Sequence, residues 1–277
     1  MLKNTFLHIP GIGAKTEEKI WNSGILSWDS FRSVHPDTLP EGKIKIIDEY
    51  LKESEKHLSE NNPAYFSDLI PSGLQWRIFP EFRDSVVYLD IETTGLVYYD
   101  SITTIALFDG RTVSWYVNGQ NLDDFVKDIL KYRLIISYNG KSFDIPFIER
   151  FFSIKLDHAH IDLRFVLSSL GYKGGLKACE TALGIDRGDI KGIDGFFAVL
   201  LWNDYLKNKN QKALETLLAY NIEDVVNLEK LIIIAYNMNL RNTPFSNQEL
   251  QEPQLPPQIP FKADIQTVEK IRNRYFY

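Results

Sequence analysis

The sequence has a single cysteine, Cys179, in 277 residues. One thiol excludes an intrachain disulfide and any zinc site built from several cysteines, and it suits a reducing compartment. No apolar run approaches the ~20 residues of a membrane span, and the opening MLKNTFLHIPGIG lacks the apolar core of a secretory leader. The expected location is therefore the cytoplasm, with no membrane partner. A basic excess is also missing: 37 acidic against 31 basic residues give a formal net charge of −6. That balance counts against a passive nucleic-acid coat held by bulk electrostatics, and leaves any recognition of phosphate to local positive patches. No internal repeat is visible.

What is present suffices for a folded chain. A hydrophobic fraction of 44% with 13% aromatics supports a sizeable core, in one generous domain or a main domain with an appendage. The informative stretch is SVVYLDIETTGL, Ser85 to Leu96. Val86 to Leu89 read as a buried strand that ends by presenting Asp90 and Glu92 two residues apart, on one face of the pleat. Two carboxylates on one face repel, and a hard divalent cation such as magnesium or manganese relieves that with oxygen ligands. Alone, an Asp-x-Glu at a strand end also fits a solvated terminus.

Four regions are expected: residues 1–64, a small helical element; 65–84, a connector with Pro71, Gly73 and Pro80; 85–240, the main domain; and 241–277, a proline-rich extension. In the first, Gly11-Ile12-Gly13 forms a tight turn before a helix over about 15–22, and a charged helix follows over 43–58. Amides exposed at such a turn can hold a nucleic-acid backbone. The turn resembles the helix-hairpin-helix element of DNA repair and replication proteins; a glycine turn joining two packed helices accounts for it equally. The main domain reads as strand 86–89 onward, strands 102–108 and 112–117 around Asp109-Gly110, helix 123–132, strand 134–138, a helix after Asp144-Ile145-Pro146, a short strand at His160-Ile161, then helices. A three-strand meander, two crossover strands and trailing helices resemble the ribonuclease-H-like architecture, so the expected α/β fold is a five-stranded mixed sheet flanked by helices.

The fourth strand runs into YNGKSFDIPFI, so Asn139 and Asp144 reach the same sheet edge as Asp90 and Glu92. Near the end, AYNIEDVVNLEKL places Tyr220 and Asp224 four apart on one helical face. DIETTGL, NGKSFD and YNIED, in this order, resemble the three motifs of the DEDD, or DnaQ-like, 3′-to-5′ exonucleases, and the tyrosine four residues before the last aspartate resembles the DEDDy branch. FDIPFI is similar to the second motif of family B polymerase proofreading domains. AHIDLR, GGLKACETALGI and FLHIPGIG are similar to the YprB-type ribonuclease-H-like domain.

The resemblance implies a 3′-to-5′ exonuclease using two divalent ions, Mg2+ or Mn2+. Asp90 would be shared between them, Glu92 and Asp224 would complete one site, and Asp144 would hold the other mainly through water. Tyr220, a poor base at neutral pH, would orient the attacking water. Thr93, Thr94 and Leu96 would receive the 3′-terminal nucleotide, and Asn139 and Phe143 would line the strand's path. Lys177 is a candidate phosphate contact or a solvated lysine. His158, His160 and Cys179 are read as structural, Asp162 as a helix cap, and the five tryptophans as packing residues. Single-stranded DNA is the expected substrate. RNA 3′ ends, free nucleotides, and a non-catalytic module that binds nucleic acid or a repair partner are the alternatives.

Overall fold

A computed structural model describes residues 1–37, 39–95, 100–187, 194–253 and 257–276. The centre is a five-stranded mixed sheet, β1 (Val86–Thr93), β2 (Ile102–Phe108), β3 (Val113–Val117), β4 (Leu134–Ser137) and β5 (Ala159–Asp162), in the order β3-β2-β1-β4-β5. β1 pairs antiparallel with β2 and parallel with β4; β2–β3 is antiparallel and β4–β5 parallel. This is the ribonuclease-H-like α/β arrangement that the strand pattern predicts.

β1 is buried on both faces, as a central strand between helical layers must be. Val87, Leu89 and Ile91 pack with Phe125 and Ile129 of α6 (Asp124–Ile129) and with Phe147 and Ile148 of α7 (Asp144–Phe152). Val86 and Tyr88 face the other way, into a cluster with Leu201 of α10 (Gly195–Asn208) and Leu217, Val225 and Ile232 of α11 (Gln211–Leu240). By pleat alternation, Asp90 and Glu92 are aimed at α11. That helix is apolar over most of its length, so it lies buried across β1 and β2 and carries the polar residues Asn221, Asp224 and Asn227 into the interior.

The N-terminal segment contains α1 (Ala14–Asn22), α2 (Trp28–Ser33) and α3 (Glu41–Ser59), and Phe6, Trp28 and Phe31 join the same buried cluster as Tyr88. The expected 65–84 connector is instead helical: α4 (Pro63–Leu69), a 3-10 turn over Ser72–Arg77 and α5 (Phe79–Phe82). Prolines there open helices instead of breaking them. Pro63 and Pro80 stand in the first turns of α4 and α5, where a missing N–H costs nothing. Phe66, Trp76, Phe79 and Phe82 then bury their rings. Arg77 crosses to the first segment, bonding the buried Glu17 at 2.8 Å and Thr5 at 2.9 Å. α6 is shorter than expected, and α7 starts at Asp144 itself, with Pro146 in its first turn.

Past α11 the chain packs back on the domain. Phe245 meets Trp21 edge-on, with centroids 5.4 Å apart, and Phe261 meets Trp115 at 5.0 Å. The last helix, α12 (Ile265–Phe276), buries Val268 and Ile271. Four of the tryptophans are buried and Trp115 is half-buried, so all five pack as expected.

Candidate active site

β1 outruns its parallel neighbour. Its pairing with β4 ends at Tyr88–Ile136, whereas pairing with β2 continues to Thr93, with a register shift between Glu92 and Thr93. The Ile91 N–H is therefore left without a β4 carbonyl, and Asp144 Oδ1 accepts it at 3.1 Å. On the other face, Asp90, Glu92 and Asp224 converge: one carboxylate oxygen from each lies within 4.8 Å of the others. Asp144, held back on the Ile91 amide, is not in that trio, although its charge acts on Asp90 and Glu92.

Three acids this close, Asp90 half-buried and Glu92 and Asp224 buried, need compensation. Burial first, and then the neighbouring carboxylates, raise the pKa values of Asp90 and Glu92 well above the carboxylate range. Burial also raises Asp224 against the pull of Arg187. Asn221, fully buried one residue after Tyr220, donates through Nδ2 to Asp90 Oδ2 at 2.7 Å, while its Oδ1 accepts from the Thr104 hydroxyl at 3.0 Å. Thr104 pairs with Glu92 across β1–β2. The Arg187 guanidinium donates through Nη2 to Asp224 Oδ1 and through Nη1 to Glu180 Oε2, the latter at 2.5 Å. Glu180, on α9 (Leu176–Ala182), is fully buried, and its other oxygen accepts from Asn227 of α11 at 2.9 Å. Arg187, Asn221, Glu180 and Asn227 were not anticipated. The available signal was polar residues set into the apolar pattern of α9 and α11, whose partners must lie elsewhere in the fold.

Tyr220 is buried one turn before Asp224. The Lys177 ammonium lies 4.7 Å from its ring centroid and the Arg187 guanidinium 5.5 Å. Burial raises the phenol pKa, which keeps it a neutral donor, and lowers that of Lys177. Thr93 bonds the Gly95 carbonyl at 2.6 Å and Thr94 bonds Asp100 at 3.1 Å, so both shape the turn beyond Glu92. Leu96 lies outside the described residues. Phe143 packs on Phe147, centroids 5.7 Å apart, ahead of α7. The Gly11-Ile12-Gly13 turn stands at the start of α1 with Ile12 buried and both glycines exposed.

The loop bearing Asn139 is tightly built. Asn139 has φ 66°, and a Cβ on Gly140 would lie 2.1 Å from Ser137 Oγ and 3.4 Å from Asp144 Oδ2. Ser137 itself bonds His160 at 2.7 Å, and burial lowers the His160 pKa to about 3, which makes it a neutral structural group. His158 bonds the Ile129 carbonyl at 3.1 Å. Asp162 caps α8 (Leu163–Ser169) through the Arg164 amide at 3.0 Å, and also accepts from the amides of Asn139 at 2.7 Å and Lys141 at 3.1 Å. It thus fastens the loop as well as the helix. Gly140→Ala should lower unfolding free energy by about 1–3 kcal/mol, as overpacked sites do. Urea unfolding reads this, and an unchanged midpoint would mean that the loop yields easily.

Asp144 supplies a pH test. Burial pushes its carboxyl up to about 7, against the opposing amide bonds. An unfolded aspartate ionises near 4. Between those values the native chain holds the extra proton, so this contribution to stability falls as pH rises. Buried His8 and His160, both lowered to about 3, act in the opposite direction below 6.5. The difference between wild type and Asp144→Asn in chelator cancels the histidine contributions and leaves that of the carboxyl with its effect on Asp90 and Glu92, which has the same sign. Wild type should lose ground to the variant from pH 5 to 8, by at most about 1.4 kcal/mol per pH unit. Parallel urea-unfolding profiles would contradict the assignment.

The donor set, three carboxylates with oxygens in mutual reach, suits hard divalent ions of the magnesium or manganese kind. Among the described residues no helix is long and apolar enough to cross a membrane. No curated protein matches the chain. Among solved structures it is similar to the family B DNA polymerase from the hyperthermophilic archaeon Pyrobaculum calidifontis, with 18% identity and a TM-score of 0.41 over 58% of this chain and 26% of the polymerase. The chain thus spans about a quarter of that enzyme's length. Residues 87–236, which run from β1 into α11 and carry all four acids, match the family described as the RNase_H superfamily. The chain belongs to the RNase_H superfamily.

Proposed function

We propose that this protein is a divalent-metal-dependent 3′-to-5′ exonuclease of the DEDDy kind, which releases 5′-mononucleotides from single-stranded DNA ends. The observation that carries the reading is the convergence of Asp90, Glu92 and Asp224 beside the buried phenol of Tyr220. Divalent ions held by these acids would acidify water and stabilise an oxyanion leaving group. The chain's own groups do the rest. Asn221 fixes the Asp90 carboxylate, Arg187 fixes that of Asp224, and the neutral Tyr220 hydroxyl orients a water toward phosphorus. Attack forms the new P–O bond as the bond to the preceding 3′ oxygen breaks, and that oxygen leaves as the hydroxyl of the shortened strand. Thr93, Thr94 and Leu96 would receive the terminal nucleotide, with Asn139, Phe143 and Lys177 along the strand. The Gly11-Ile12-Gly13 turn, read as a helix-hairpin-helix element, would hold backbone phosphate further out.

The test is release of mononucleotide from 3′- and 5′-labelled single strands of DNA and RNA of equal sequence, with Mg2+, Mn2+ or chelator. Early loss of the 3′ label only with metal supports the reading, and the faster polymer names the sugar. Tight binding without release under any metal would replace it with a binding module. Cleavage of nucleoside phosphoesters alone would replace it with a small-molecule phosphoesterase. Tyr220→Phe should lower kcat about 10- to 100-fold and leave Mn2+ affinity, read by electron paramagnetic resonance, unchanged. An unaltered kcat would remove Tyr220 from the reaction.

A further inference from the structure

At the loop that runs from Asn139 to Asp144 lies a cleft of about 620 Å³ lined by Tyr138, Asn139, Arg164, Ser168, Tyr172, Lys173, Gly174 and Gly175. We propose that it holds a nucleotide upstream of the reacting 3′ end, with phosphate between Arg164 and Lys173 and the base against Tyr172 or Tyr138. The proposal rests on the exonuclease reading for the direction of the strand.

Four features of the cleft point to this ligand. Among the described residues its lining carries two cations and no carboxylate, in a chain of net charge −6, and so supplies the local positive patch that a phosphate backbone needs. Two tyrosine rings accompany the cations, and aromatic faces take any base by stacking. The size is in the range of sites that enclose a small organic ligand.

The fourth feature is that the walls are fixed and continuous with the active site. Asn139, on the lining, begins the loop that ends at Asp144, and its side-chain Oδ1 accepts from Arg164 Nη1 at 2.6 Å. The Asp162 carboxylate ties the amides of Asn139, Lys141 and Arg164 to one anchor, which is itself fully buried. The Tyr138 hydroxyl lies 3.5 Å from the buried Cys179 sulfur on α9. On the far side, Gly171, Gly174 and Gly175 have φ of 91°, 104° and 90°, conformations that let the backbone turn around Lys173 without side-chain bulk. Two residues past Gly175, Lys177 lies over the Tyr220 ring. One strand of nucleic acid can therefore run from the acids past Asn139 into the cleft.

The experiment uses the full chain and two probes. A 5′-fluorescein deoxythymidine decamer has upstream nucleotides, whereas thymidine 5′-(p-nitrophenyl phosphate) has the terminal nucleotide and none upstream. Lys173→Glu changes an exposed side chain, and Tyr172→Ala combined with Lys173→Gln removes the ring as well. Both variants should bind the decamer roughly ten-fold or more weakly by anisotropy in Ca2+. Both should hydrolyse the nitrophenyl ester at the wild-type rate with Mn2+, and this also reports that they are folded. Tyr172→Phe, which keeps a ring, should bind the decamer like wild type. Equal decamer affinity in Lys173→Glu and the double variant overturns the proposal, and so does an equal loss on the nitrophenyl ester. If wild type releases no nucleotide from any substrate while the variants still lose decamer affinity, the exonuclease reading falls and the cleft stands as a binding site.

Discussion

Asp90→Asn should reduce metal-dependent nucleotide release by about a thousand-fold or more, some 4 kcal/mol of transition-state stabilisation. Asp90 is the acid on which the others bear: burial, Asp224, Asp144 and Glu92, in that order, raise its pKa. Without its charge the remaining carboxylates lose the neighbour that makes the site a strong cation trap. The substitution is nearly isosteric, and the amide oxygen can still accept from Asn221 Nδ2, so the fold has little reason to fail. Removing one of several mutually repelling charges should make the metal-free variant as stable as wild type or slightly more so. Release assays with Mn2+ and thermal melts in chelator read the two halves. A variant that still cleaves would mean the reaction centre lies elsewhere; one that neither cleaves nor folds would leave Asp90 as a structural residue only.

The site was partly legible because its acids sit where periodicity is least ambiguous. Asp90 and Glu92 end an apolar strand, and the two-residue repeat puts them on one face whatever the neighbours are. Tyr220 and Asp224 lie within a helix of 30 residues, long enough for a four-residue spacing to be read with confidence in the pattern itself. The antiparallel meander of the first three strands followed from hairpin chemistry at Asp109-Gly110, and the parallel fourth strand from the crossover before it. What stayed hidden depends on distant pairing. Arg187 sits in IDRGD, which reads as a polar loop, and nothing local links it to Asp224, 37 positions away. Asn221 looked like any polar residue on a helix until β1 and β2 were laid against it. The placement of Asp144 on the Ile91 amide required knowing that β4 stops pairing at Tyr88.

Arg187→Met should destabilise the metal-free protein by about 3–5 kcal/mol, the usual cost of deleting one partner from a buried ion pair. The guanidinium is shared between two buried carboxylates, so its loss leaves Glu180 and Asp224 both without their cation. Glu180 is the costlier orphan: it is fully buried and, among the described residues, keeps only the Asn227 amide as a donor. Asp224 has an alternative counter-ion, because it belongs to the carboxylate trio suited to a divalent cation. The two debts therefore respond to different treatments. Mn2+ should restore the Asp224 share of the lost stability and not the Glu180 share. Arg187→Met combined with Glu180→Gln should restore the Glu180 share in chelator, since a neutral amide in place of the carboxylate needs no cation. Urea unfolding of wild type, the single variant and the double variant, each with chelator and with Mn2+, separates these terms. If Arg187→Met is as stable as wild type in chelator, the guanidinium is not the resident counter-charge of the acid site. If the double variant is no more stable than the single, the loss lies with Asp224 or with packing on Tyr220, 5.5 Å from the guanidinium carbon.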